Sequence, residues 1–134
     1  MWWWPEPTAG EIVWCKFPAS VQLKPKPRPA LILTTKKDEE GFVFVAVAYG
    51  TSQKTDRLYT GEFRIGKIEH PAAYASAGLS FDTKFDLRNV LELPFNDNYF
   101  SVPPHSPHGQ NPKLGTLHPS MMRFAASAFA ALRK

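Results

Sequence analysis

Pro29-Ala30-Leu31-Ile32-Leu33-Thr34, then Thr35-Lys36-Lys37-Asp38-Glu39-Glu40-Gly41, then Phe42-Val43-Phe44-Val45-Ala46-Val47-Ala48-Tyr49 is the stretch from which the fold follows. Two runs rich in β-branched and aromatic residues flank a polar connection that ends in glycine, the pattern of an antiparallel hairpin. Pro29 is tolerated because it stands at the first position of its strand. Folding the hairpin about Asp38 sets residue 28 opposite residue 48, so Arg28 and the end of the following strand share one edge of the sheet. The connection after that strand, Gly50-Thr51-Ser52-Gln53, brings two hydroxyls and a carboxamide toward Arg28.

Working outward, Glu11-Ile12-Val13-Trp14-Cys15-Lys16-Phe17 follows a Gly10 turn and reads as an earlier strand. Glu62-Phe63-Arg64-Ile65 alternates polar and apolar residues and predicts a short strand. The segment from His70 to Gly78 predicts a brief helix, with Pro71 near its start and glycine past its end. Leu79-Ser80-Phe81 and Val90-Leu91-Glu92-Leu93 predict further strands, the second stopped by Pro94. A polar, Pro-rich loop at about 96–117 is longer than most connections inside compact domains and predicts a segment mobile or draped over the surface. Pro119 opens a closing amphipathic helix, in which Met121, Ala125, Ala128 and Leu132, with Met122 and Phe129 alongside, form an apolar stripe that suits the core foremost and otherwise a partner groove. Short strands without regular strand-helix alternation predict a mainly β protein with helices (α+β), a small, partly open β-barrel with a C-terminal amphipathic helix.

A chain of 134 residues with 43 % hydrophobic content closes one core, so a single domain over 1–134 is expected. The one cysteine, Cys15, lies inside an apolar run and predicts a buried structural thiol. No apolar run is long enough to span a bilayer. Met1-Trp2-Trp3-Trp4 lacks a basic leader region and is cut short by Pro5, Glu6 and Pro7, so a cytoplasmic protein without membrane contact is expected. Sixteen Lys and Arg against twelve Asp and Glu give a net charge of +4. Part of that excess is concentrated: Lys24, Lys26 and Arg28 alternate with Pro25, Pro27 and Pro29 on a loop stiffened by its fixed φ angles, while Asp38-Glu39-Glu40 gather on another turn. A stiff positive rim suits a polyanion such as a nucleic acid. His105, His108 and His118 match no zinc-ligand spacing, so neither metal nor cofactor is expected. Trp2, Trp3 and Trp4 suit a barrel plug, a dimer contact or a stacking surface for bases.

Four pieces in this order, Gly10-Glu11-Ile12-Val13-Trp14, Arg28-Pro29-Ala30-Leu31-Ile32-Leu33, Gly50-Thr51-Ser52-Gln53 and Leu114-Gly115-Thr116-Leu117, resemble the PemK/MazF family of toxin endoribonucleases. The resemblance implies an SH3-like barrel that forms a homodimer, cleaves single-stranded RNA without metal and is silenced by a cognate antitoxin. It implies catalytic roles for Arg28 and Thr51. Asp82, in Ser80-Phe81-Asp82-Thr83, resembles the acid that some members place after a later strand. Lys24, Lys26, Ser52, Gln53 and Lys84 are the expected RNA contacts.

These residue types suit the chemistry. Attack by a ribose 2′-hydroxyl builds negative charge on the phosphoryl oxygens, and a guanidinium fork matches both that charge and its geometry. Arginine stays protonated at neutral pH, so the base is left to Asp82, Glu11, a histidine or water. The chain departs from relatives that carry an arginine two positions before the acid: here that position is Ser80, with Lys84 on the other side. The alternative is therefore a barrel that binds RNA or a protein without cleaving, as a gyrase-directed toxin would.

Overall fold

The computed structural model describes residues 4–18 and 26–133. Six strands, β1 (Glu11–Lys16), β2 (Pro27–Lys37), β3 (Val43–Thr51), β4 (Glu62–Ile65), β5 (Thr83–Pro94) and β6 (Lys113–Thr116), form one antiparallel sheet in the order β4-β5-β3-β2-β1-β6. The sheet curls into a half-barrel, joined by α1 (Pro71–Ala77), a 3-10 turn (Pro119–Met121) and α2 (Met122–Ala131). The mainly β architecture with a closing helix is the one the sequence predicts.

The hairpin between β2 and β3 forms as expected, but in a different register. Asp38 opens the turn rather than centring it: its Oδ1 accepts from the Glu40 and Phe42 N–H groups, each at 2.9 Å, and Gly41 takes φ +87°. The register then shifts between Ile32 and Thr34, aligning Ala30 with Tyr49 and Leu31 with Ala48. Carried two residues further, this alignment sets Arg28 across from Thr51, not from residue 48. The hairpin count missed both the later turn and the extra residue.

Both faces of the sheet are buried. On one, Ile12, Leu31, Ala48, Phe63 and Phe85 pack with Ala73 and Ala77 of α1 and with Met121 and Ala128. On the other, Val13, Cys15, Ala30, Ile32, Val45 and Val47 pack with Phe17, Leu93 and Phe100. Burying each large apolar side chain contributes about 1.5–3 kcal/mol, so a two-sided core is what lets so short a chain hold its sheet.

Residues 79–81 are a bend, not the expected strand. Gly78 ends α1 in the left-handed region at φ +68°, and β5 begins only at Thr83, opposite Ile65 of β4. Both neighbours of β5 run out there, since Thr51 closes β3 opposite Lys84, and residues 79–81 have no strand to pair with. Conversely, the expected strand at 90–93 is the end of a twelve-residue β5.

The long loop is draped and anchored. Residues 99–101 run along β1, with Lys16 N–H donating to the Tyr99 carbonyl at 2.7 Å and Ser101 N–H to the Trp14 carbonyl at 3.1 Å. Phe100 is fully buried between them. Trp14 N–H reaches the Pro112 carbonyl at 2.9 Å, after which β6 takes over the outer edge of β1. The loop and β6 together cover that edge, which blunts strand-to-strand aggregation.

Candidate active site

Directly opposed residues of antiparallel strands point to the same face. Cys15 pairs with Arg28, Thr51 with Lys84 and Lys84 with Arg64, and the β2–β3 alignment carries Arg28 to Thr51. One row therefore crosses five strands: Cys15, Arg28, Thr51, Lys84, Arg64.

Arg28 is half-buried, and its Cζ lies 5.7 Å from the centroid of the Tyr49 ring, which stands edge-on to Phe17 at 4.8 Å. Tyr49 is two residues before Thr51 and shares its face, so strand alternation supplies the ring on which the guanidinium rests. Sequence reasoning passed over Tyr49, although its i, i+2 spacing from Thr51 is the signal that marks it. Thr51 is half-buried, and its Oγ1 accepts from Gln53 N–H at 3.1 Å. With an oxygen lone pair so engaged, the hydroxyl proton remains available for donation. Ser52 and Gln53 are exposed on the same turn, and Lys26 is exposed just before β2. Lys24 lies outside the described residues.

Lys84 is not the surface cation expected from the sequence. Its side chain is 5 % exposed, and its ammonium donates to Glu62 Oε1 at 3.0 Å and to the Arg57 carbonyl at 2.9 Å, over the Tyr59 ring. Glu62, the Arg57 carbonyl and the Tyr59 ring enclose it, and its charge is satisfied inside the protein. Arg64 behaves similarly, with Nη1 on the Thr55 carbonyl at 2.9 Å and Nη2 on Glu69 at 2.7 Å. The two cations tie down the connection after Thr51 at two backbone carbonyls.

Asp82 lies two residues before Lys84, at the same end of the sheet as Thr51. Its Oδ1 accepts from Lys67 N–H at 2.9 Å. Burial first, and then the Asp82 charge, hold the Tyr74 phenol above its ordinary pKa. Glu11 is occupied elsewhere, accepting from Thr8 N–H at 2.8 Å and pairing with Lys113 at 3.3 Å. Cys15 is fully buried, and desolvation pushes its thiol up to about 12, which makes it inert.

Beside this row a cavity of about 520 Å³ opens between the sheet and the long loop. Trp14, Pro29 and Leu114 from the strands line it together with Pro103, Pro104 and Pro107 from the loop. Lys26, Arg28 and Ser52 also border it, with Ser80, Phe81 and His105. Its size falls within the roughly 300–1,000 Å³ of small-ligand clefts.

An arginine is set across from a hydroxyl at the end of a small half-barrel, beside an apolar cleft with cations on its border. Residues 8–91 match the family described as PemK-like, MazF-like toxin of type II toxin-antitoxin system, and because that span is more than half of the 134 residues, the chain belongs to this family. No curated protein matches the chain. The family span contains Arg28, Thr51, Asp82 and Lys84 and stops short of the loop and α2. Among the described residues no helix is long and apolar enough to cross a membrane.

Proposed function

We propose that this toxin-family chain cleaves single-stranded RNA without a metal ion, with Arg28 and Thr51 gripping the scissile phosphodiester. The observation that carries the reading is the register that sets these two residues across from each other on one face. The guanidinium stabilises charge that develops on the phosphoryl oxygens during 2′-hydroxyl attack, and the Thr51 hydroxyl adds a neutral donor. Lys26, Ser52 and Gln53 hold the flanking strand. Of the two carboxylates considered as base, Glu11 is four residues along β1 from Cys15, about 13 Å from the position across from Arg28. Asp82 stands two residues before Lys84, the partner of Thr51, and takes the 2′-hydroxyl proton directly or through water. A homodimer, a cognate antitoxin and a cytoplasmic site of action belong to the same reading.

One observation favours a second reading, a barrel that binds without cleaving: the cation next to Asp82 in sequence, Lys84, is sealed against Glu62 and unavailable to a phosphate. Incubation of long single-stranded RNA with chelator separates the two. Cleavage predicts products ending in 2′,3′-cyclic phosphate, with rates falling about 10²–10³-fold in Arg28→Ala, as for loss of an oxyanion donor, and clearly in Thr51→Ala. RNA bound by the wild type without products would establish the second reading.

A further inference from the structure

The cavity beside Trp14 is walled by a segment that the proposed cleavage chemistry does not use. Pro103, Pro104 and Pro107 contribute ring faces and no N–H donors, so that wall is apolar without leaving backbone donors unsatisfied. It is also fixed in place. Phe100 is buried, Ser106 N–H returns to the Pro103 carbonyl at 3.0 Å, Gly109 N–H to the Ser106 carbonyl at 3.0 Å, and Asn111 Nδ2 to the His108 carbonyl at 2.6 Å. Trp14 and Pro29 line the same cavity. Phe81, 70 % exposed, flanks the opening. The neutral polar side chains on the lining, Ser52, Ser80 and Thr83, with His105, suit recognition of a ring edge, while Lys26 and Arg28 supply positive charge at the border.

We infer that this slot receives one unstacked base of the RNA strand, adjacent to the phosphodiester at Arg28, and that the Pro103–Pro107 wall determines which base is accepted. The inference rests on the RNA reading above. Trp14 supplies an aromatic ring and the prolines apolar contacts, and Lys26 and Arg28 on the border meet the phosphates that flank a splayed base. Arg28 belongs to both the row and the cavity border, and a cation shared in this way favours RNA over a peptide, because the phosphate next to an inserted base meets it.

The test is a coupling measurement with 2′-O-methyl RNA, which cannot undergo 2′-hydroxyl attack, so binding is read apart from cleavage. An oligonucleotide bound by the wild type is scanned with a single abasic site at each position, against the wild type and against the double variant Pro104→Ser/His105→Ser. Both substituted side chains are exposed, which protects folding, and Phe81→Ser provides an independent second variant. Expected is one position whose base removal weakens wild-type binding about tenfold and has little effect in the variants, in line with the cost of losing one stacked base. Absence of such coupling overturns the slot, whether or not the separate RNA assay finds cleavage. Coupling without cleavage leaves the slot standing and removes the endoribonuclease reading. Variants that weaken self-association or the binding of an acidic, apolar peptide while leaving RNA binding intact would assign the slot to a protein and overturn the inference.

Discussion

Gly50 lies so close to the Pro29 carbonyl across the β2–β3 pair that a methyl group at position 50 would overlap its oxygen and come within 2.9 Å of Phe85 Cε1. The close approach sits between the Ala30–Tyr49 pair and the position where Arg28 faces Thr51. Relief must come from the backbone, because the nearest obstacle is main chain and the other is a fully buried ring. Gly50→Ala is expected to cost about 1–3 kcal/mol as an overpacked site and to lower the proposed RNA cleavage beyond that by splaying the pair. Urea unfolding and cleavage rates check it, and an unchanged midpoint with full activity would remove the steric account.

Lys84 carries a prediction of a different kind. Removing one partner of a buried ion pair leaves an uncompensated charge, at a cost of about 3–5 kcal/mol, whereas replacing both can be neutral. Glu62 is 6 % exposed at its side chain and without Lys84 keeps the Tyr59 N–H at 2.7 Å and only a longer contact to Arg88 at 3.9 Å, so Lys84→Met should be destabilising and Lys84→Met/Glu62→Leu less so. Loss of the bond to the Arg57 carbonyl should also free the connection after Thr51, seen as faster tryptic nicking at Lys54 and Arg57. Equal stability of the single and double variants would show that Glu62 does not depend on Lys84.

The reach of the sequence divides along these lines. Glycine, proline and β-branched patterning located the hairpin, α1 with its Gly78 cap and the start of the closing segment, because each is a local preference. The register of Arg28 was not local. It depended on where Asp38 stood in its turn and on one extra residue near Leu33, neither of which alters the apolar pattern. Lys84 alternates with apolar neighbours as a surface cation does, and only the closure of β4, Tyr59 and the Arg57 carbonyl around it makes it internal. The strand expected at 79–81 failed for a similar reason, since a pairing partner is supplied by the rest of the chain.

Cys15 predicts a pH dependence. Its thiol, ordinarily near 9.0, is raised to about 12 by burial, so above pH 9 the unfolded chain loses this proton while the folded chain keeps it. The stabilisation is fully present below pH 9 and is lost as pH rises toward 12, at up to about 1.4 kcal/mol per pH unit. Denaturant midpoints from pH 8 to 10.5 should fall more steeply for the wild type than for Cys15→Ala. Alkylation by iodoacetamide at pH 8.5 should be slow in the native protein and rapid in denaturant.

The closing helix tests how far an apolar stripe can be trusted. Met121 is fully buried and Ala128 nearly so, with Phe124, Ala125 and Leu132 packed against the same cluster. Met122 and Phe129, seven residues apart and so on one face, are 56 % and 54 % exposed. The stripe expected in the core is thus wider than the core itself, because a helix lying on one side of a sheet buries a single face. Met121→Ala should cost about 2–5 kcal/mol, while Met122→Ser and Phe129→Ser should stay within about 0.5 kcal/mol of the wild type. A large loss from either serine variant, measured on dilute protein, would mean that the outer face is covered in the folded state, and a midpoint that rises with protein concentration would identify self-association as the cover.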